Sequence, residues 1–173
     1  MKFEVLISEQ EINKKIDELA NKIMGDYQDE EITILCVLKG ASFFTVDLCK
    51  RIKNILEFEF IQVSSYGNNT KTSGTVTLKK DVDKDIKGKN ILIIEDIIDS
   101  GITMNYLLEL LKERNPKSIK VCSLLNKPSR REIDVNIDYI GFDIPNKYVF
   151  GYGLDYEENY RNLPYIANLI IQE

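Results

Sequence analysis

The sequence predicts an α/β fold, a mostly parallel central sheet flanked by helices, and three observations carry that prediction. Short apolar runs without alternation recur at Ile32–Leu38 (ITILCVL), Ile91–Ile94 (ILII) and Ile119–Leu125 (IKVCSLL), the pattern of strands covered on both faces. Segments of helical period lie between them. The runs end on polar or small residues, Lys39-Gly40, Glu95 to Thr103 and Lys127. In open parallel sheets ligands bind beyond the carboxyl ends of the strands, so these three ends are expected to meet in one crevice.

Taken in order, Ser8 and Glu11 form a capping-box pattern ahead of a stripe at Ile12, Ile16, Leu19, Ala20 and Ile23, a packing helix. The Ile32–Leu38 strand leads through Lys39-Gly40 into a second amphipathic helix, expected to run to about Ile52. Leu56 to Val63 alternates as a strand. Ser64 to Thr75 (SSYGNNTKTSGT) holds too little apolar surface to pack and is expected to be mobile, with Thr75 to Leu78 as its returning arm. After Ile91–Ile94 comes a helix marked by Met104, Leu107, Leu108 and Leu111, with Thr103 as expected N-cap and Asn115-Pro116 as the stop. Beyond Lys127 the chain reads as irregular and aromatic: Tyr139, Phe142, Tyr148, Phe150, Tyr152 and Tyr156.

Composition narrows the chemistry. With 173 residues, 43% hydrophobic and 29% charged, the chain has the length and make-up of one globular domain. It has no histidine, which removes histidine bases, metal ligands and nucleophile partners; acid-base work falls to Asp, Glu, Lys or Tyr. A net charge of −5 argues against nonspecific nucleic-acid binding. Cys36, Cys49 and Cys122 lack zinc or redox spacing and read as buried free thiols. Phe3 to Ile7 is too short for a signal peptide and no run is long enough to span a bilayer, so a cytoplasmic protein without membrane contact is expected.

The stretch Ile91 to Met104, ILIIEDIIDSGITM, concentrates the chemistry. A strand that feeds a helix through a small flexible residue presents free backbone amides and the positive end of the helix dipole, which favour phosphate. Ser100 and Thr103 add hydroxyl donors. Glu95, Asp96 and Asp99 would repel a bare phosphate unless they accept from ligand hydroxyls or share a divalent cation with it. The implied ligand is a phosphorylated sugar with magnesium. The nucleotide-hydrolase loop GxxxxGK[ST] is absent.

EDIIDSGIT after a buried strand resembles the signature of type I phosphoribosyltransferases, which bind 5-phosphoribosyl-1-pyrophosphate. With VLKG at Val37–Gly40, SSYG at Ser64–Gly67, SLLNK at Ser123–Lys127 and FDIPNKYVFGYGLDYEENYRNLP at Phe142–Pro164, the resemblance narrows to the 6-oxopurine members, the hypoxanthine-guanine phosphoribosyltransferases, over nearly the whole chain. It implies the type I phosphoribosyltransferase fold as one domain over 1–173: a core of about 30–140, a small hood from the N-terminal strand and C-terminal segment, and a mobile flap of about 64–80. The implied reaction is transfer of phosphoribosyl to N9 of hypoxanthine or guanine, giving IMP or GMP and pyrophosphate in purine salvage.

The same resemblance implies the roles. Ser100, Gly101, Ile102 and Thr103 grip the 5′-phosphate, Ile102 standing where some relatives have a basic residue. Glu95 and Asp96 hold the ribose hydroxyls and act on the Mg2+ there, and Asp155 holds a second Mg2+. Lys39, Gly40 and Arg161 meet the pyrophosphate, Lys39-Gly40 in a loop of unusual peptide conformation, and Ser65-Tyr66 close over it. Lys127 donates to the purine 6-oxo group, Tyr148 stacks on the base, Val149 offers backbone contacts, and Asp99 exchanges a proton at purine N7. The family tends to form homodimers or homotetramers. The choice among hypoxanthine, guanine and xanthine stays open, since guanine's 2-amino group is expected to meet backbone carbonyls near Val149 and Asp155.

Two other classes fit parts of the pattern. A regulator of the same fold that binds RNA or DNA would need a basic stripe, hinted at only by Lys127 with Arg130-Arg131. A receiver-type phosphoacceptor would share the acidic strand ends and the strand-end lysine, but leaves the aromatics without a use.

Overall fold

The computed structural model describes residues 2–66 and 75–170, with the backbone alone described at Ser65 and Tyr66. The chain runs β1 (Phe3–Ile7), α1 (Glu9–Tyr27), β2 (Ile32–Leu38), α2 (Ser42–Cys49), β3 (Leu56–Tyr66), β4 (Thr75–Lys80), β5 (Asn90–Ile98), α3 (Ile102–Lys112), β6 (Ser118–Asn126), β7 (Tyr139–Asp143), β8 (Val149–Phe150) and β9 (Ile166–Leu169). A six-stranded sheet has the order β4-β3-β2-β5-β6-β7; a three-stranded sheet has the order β1-β9-β8. In the larger sheet every pairing is parallel except β3 with β4.

The unbroken apolar runs are explained by the two cores. On β5, Leu92 and Ile94 enter a cluster with Ile12, Ile16 and Ile23 of α1 and Phe44 and Leu48 of α2. Ile91 and Ile93 enter the opposite cluster with Met104, Leu107 and Leu111 of α3. Successive strand residues face opposite sides, so a strand with a core on each side must be apolar throughout. Each fully buried aliphatic side chain contributes about 1.5–3 kcal/mol. The capping box of α1 forms as expected, Ser8 Oγ accepting from Glu11 N and Glu11 Oε2 accepting from Ser8 N. All three cysteines are buried and free.

Several expectations need correction. β5 does not stop at Ile94 but continues to Ile98, so Glu95 and Asp96 are strand residues. Pairing with β6 explains this, since Glu95 lies opposite Ser123 and Ile97 opposite Leu125. The N-cap of α3 is Gly101, not Thr103; with φ +85 it turns the chain in a left-handed conformation that a side chain at 103 has no part in. Helix α2 ends at Cys49 rather than near Ile52 and is apolar on both sides, burying Phe44 and Leu48 while Phe43 and Val46 stay exposed.

Ser64–Tyr66 and Thr75, counted in the segment expected to be mobile, are paired strand residues of β3 and β4. Its middle, residues 67–74, lies outside the described residues. The stretch after Lys127 is not wholly irregular. β7 extends the main sheet, while β8 and β9 close the small one with β1. These strands are too short and too mixed in polarity to show a period.

Candidate active site

Four strand ends and the segments after them build the site. At the end of β5 the alternation of side chains parts the two acids, Glu95 towards α3 and Asp96 towards the loop after β2. There Gly40 lies so close that a Cβ would fall 1.6 Å from Asp96 Oδ2, which makes glycine obligatory while Asp96 holds its place. The Leu38-Lys39 peptide is cis. Gly40 is also covered from the other side: a Cβ on Gly153, φ +99, would lie 2.0 Å from the Gly40 carbonyl oxygen. Gly40 is therefore sandwiched between Asp96 and the chain at Gly153.

Glu95 is buried. Burial first, then the neighbouring Asp96 carboxylate, push its pKa well above the usual carboxylate range. Burial likewise raises Asp96, against hydrogen bonding with Glu95, the Ile97 amide and the charge of Arg161. Asp96 Oδ1 accepts from Ile97 N at 2.6 Å. Neither acid has a salt-bridge partner among the described residues. The pair is therefore short of positive charge or hydrogen-bond donors, which a hydroxylated or cation-bearing ligand supplies.

The turn from Asp99 to Thr103 is braced from below. The Ser100 carbonyl accepts from Glu132 N and Ile133 N, and Arg131 Nε donates to the Asp99 carbonyl at 3.0 Å. Ile102 N donates to Ser100 Oγ, and the first helical hydrogen bond is Asn105 N to the Gly101 carbonyl. The amides of Gly101, Thr103 and Met104 carry no bond to described residues, an arrangement at a helix start that favours an anion. A hollow of about 210 Å3 lies over it, lined by Glu95, Asp99, Ser100, Gly101, Thr103 and Arg130. An adjoining hollow of about 200 Å3, lined by Leu38, Gly40, Glu95, Asp96 and Thr103, shares Glu95 and Thr103 with it. The ends of β2 and β5 thus meet at these hollows.

Lys127, buried at the end of β6, sends Nζ to the Lys147 carbonyl at 3.0 Å and lies 3.9 Å from Asp99 Oδ2. Burial lowers its pKa, which Asp99 opposes. Asp99 Oδ1 also lies 3.3 Å from Arg130 Nε. The Tyr148 ring is half exposed and meets Tyr156 edge-on at 5.6 Å, while Val149 is buried and pairs with Asn168. Asp155 Oδ1 binds Arg161 Nη2 at 2.9 Å, and Arg161 Nη1 donates to the Gly153 carbonyl. Asp155 thus stands with Arg161 and apart from Glu95 and Asp96. Among the described residues no three Cys, Asp or Glu gather as a metal cage.

The structure also adds residues that the sequence reading did not place. Arg130 and Arg131, noted there only as a hint of a basic stripe, turn to the Asp99 turn instead. Gly153 packs on Gly40, and Glu158 pairs with Lys39 at 2.8 Å. The flanking glycines of Gly151-Tyr152-Gly153 were the available signal for the first; nothing in the order of residues announces Glu158. A larger hollow of about 640 Å3 lies at the amino ends of the strands, but two of its three acids are already paired, Glu30 with Lys117 and Glu57 with Lys84 and Lys89.

Residues 6–157 match the family described as phosphoribosyl transferase domain. The chain is 54% identical over 165 residues to the hypoxanthine-guanine phosphoribosyltransferase of Bacillus subtilis, covering 95% of this chain and 92% of that one. It is 46% identical over 171 residues to the hypoxanthine phosphoribosyltransferase of Buchnera aphidicola, covering 98% and 97%. Among solved structures, a hypoxanthine-guanine phosphoribosyltransferase of Bacillus anthracis superposes with a TM-score of 0.92 at 47% identity, covering 96% of this chain and 98% of that one.

Proposed function

The chain belongs to the phosphoribosyl transferase domain family, and on that premise we propose how its site moves the phosphoribosyl group from 5-phosphoribosyl-1-pyrophosphate to N9 of hypoxanthine or guanine. The products are IMP or GMP and pyrophosphate, a purine salvage reaction. The observation that carries this reading is that Asp96, Asp99 and Thr103 line two adjoining hollows at the carboxyl ends of the strands, with Lys127 3.9 Å from Asp99.

As the bond to pyrophosphate breaks, ribose carbon 1 becomes cation-like, so the site must hold the sugar, receive the leaving group and manage a proton on the base. The free amides of Gly101, Thr103 and Met104 with the Ser100 and Thr103 hydroxyls hold the 5′-phosphate; Ile102 serves through its backbone. Glu95 and Asp96 accept from the ribose 2′- and 3′-hydroxyls. Asp99 exchanges a proton at purine N7, with Lys127 and Arg130 beside it. Lys127 donates to the 6-oxo group, which rejects adenine because a 6-amino group presents a donor there. Tyr148 stacks on the base and the Val149 backbone borders it.

Lys39, Gly40 and Arg161 receive the pyrophosphate, and Ser65-Tyr66 cover it so that water does not take the place of the purine. The acids fit Mg2+: all-oxygen donors suit a hard cation, which binds through one or two carboxylates plus substrate phosphates. Glu95 and Asp96 would hold one Mg2+ and Asp155 a second, and when bound the metal offsets the charge of the leaving group. The free buried thiols suit the reducing cytoplasm as the place of action. No helix among the described residues is long and apolar enough to cross a membrane. We further propose that the chain works as a homodimer or homotetramer without nucleic acid.

The test is incubation with magnesium, 5-phosphoribosyl-1-pyrophosphate and hypoxanthine, guanine, xanthine or adenine in turn, following nucleotide absorbance. IMP or GMP formation with adenine inert is expected. Absence of any nucleotide would refute the reading.

A further inference from the structure

We infer that Glu158 is a built-in stand-in for pyrophosphate, its carboxylate occupying the place between Lys39 and Arg161 that the leaving group takes. The inference rests on the proposed roles of Lys39 and Arg161. One carboxylate spans both cations: Oε2 accepts from Lys39 Nζ at 2.8 Å, and Oε1 lies 3.4 Å from Arg161 Nη2. These two cations come from segments far apart in sequence, the loop after β2 and the turn at 155–161. The segments are pressed together where Gly153 meets the Gly40 carbonyl. An anion on that spot is bound by both, and Glu158 is the anion present.

The backbone is shaped to deliver it. Glu157 and Glu158 both have left-handed backbones, φ +51 and +63, which non-glycine residues adopt reluctantly. The turn is held by Glu158 N donating to Asp155 Oδ2 at 2.9 Å and by the bridge between Tyr156 and Asn159. Lys39, then Arg161, hold the Glu158 carboxyl below the ordinary carboxylate range, so it is charged at neutral pH. Its neighbour Glu157 makes no ion pair among the described residues.

Both partners of the Lys39 pair are more than half exposed, 58% and 69%. Exposed pairs of this kind are weak, worth at most about fivefold in an equilibrium constant. That suits a stand-in, because a multivalent anion displaces it readily, and its return speeds departure of the product. In the free protein it keeps the two cations aimed at one point.

The experiment is calorimetric titration of magnesium pyrophosphate into the full chain, in wild type and in E158Q, E158A, E157Q and R161A. R161A should weaken binding at least tenfold. E158Q and E158A should each bind pyrophosphate about fivefold tighter, and product inhibition by pyrophosphate should strengthen by the same factor. E157Q, with the same change of net charge, should stay within about twofold of wild type. If R161A weakens binding but the Glu158 variants bind no tighter, or E157Q tightens as much, the stand-in is refuted while the pyrophosphate site stands. If R161A binds like wild type, the site assignment fails and takes the stand-in with it.

Discussion

Replacing Gly40 by alanine tests the site at its tightest contact. Gly40 is not among the residues with positive φ, so alanine suits its backbone and the effect must come from space. The new Cβ would lie 1.6 Å from Asp96 Oδ2 and 2.7 Å from Cγ, far inside the usual contact of about 3.5 Å. Relief requires the Asp96 carboxylate to swing away and abandon its 2.6 Å bond from Ile97 N. If that carboxylate holds a ribose hydroxyl, the loss is one charge-assisted hydrogen bond, about 1.5–3 kcal/mol. The KM for 5-phosphoribosyl-1-pyrophosphate should then rise about 10- to 100-fold, with the melting temperature lowered only slightly. Steady-state rates at saturating hypoxanthine measure this. In G40A/D96A the clash is gone, so the double variant should be no worse than D96A alone. A KM within twofold of wild type, or effects of the two substitutions that multiply, would refute the argument.

Asp99→Asn should lower kcat by about 10²–10⁴ while leaving both KM values within a few-fold, the pattern of a lost proton exchange; unchanged kcat removes that role. Lys127→Ala should raise the KM for hypoxanthine about tenfold or more and narrow the preference over adenine, as read from competition between the two bases. Glu57 accepts from Lys84 and Lys89, which pull its pKa down to about 2. A carboxyl lowered on folding stabilises above its unfolded value of about 4.3 and loses that contribution as pH falls towards 2. Glu57→Gln should therefore cost about 1 kcal/mol at pH 7, after allowing for the partly exposed pair. Urea unfolding at pH 7 and at pH 2.5 should show the gap closing at the lower pH.

The parts of the molecule that were legible in the residues share a physical cause. β2 was read to the residue because Ile32–Leu38 is covered on both faces and carries no polar side chain but Thr33 until it leaves the sheet. The convergence of Lys39-Gly40, Glu95–Thr103 and Lys127 followed from parallel pairing, which puts those ends on one side. What escaped was set by partners distant in sequence. Glu95 and Asp96 look like a turn until the pairing with Ser123 is known, and β8 has only two residues, held by Ala167 and Asn168. The Glu158 pair joins residues 119 apart, and no local signal encodes such a contact.

The small sheet carries a lesson about the order of manufacture. β8, which presents Val149, is bonded to β9, and β9 to β1, with Asn168 opposite both Val149 and Glu4. A nascent chain emerging from the ribosome can complete the six-stranded sheet once Asp143 has appeared. The proposed wall against the purine waits for residues 166–169. A chain released or clipped before that point should retain its phosphate cradle and yet lack a fixed seat for the base.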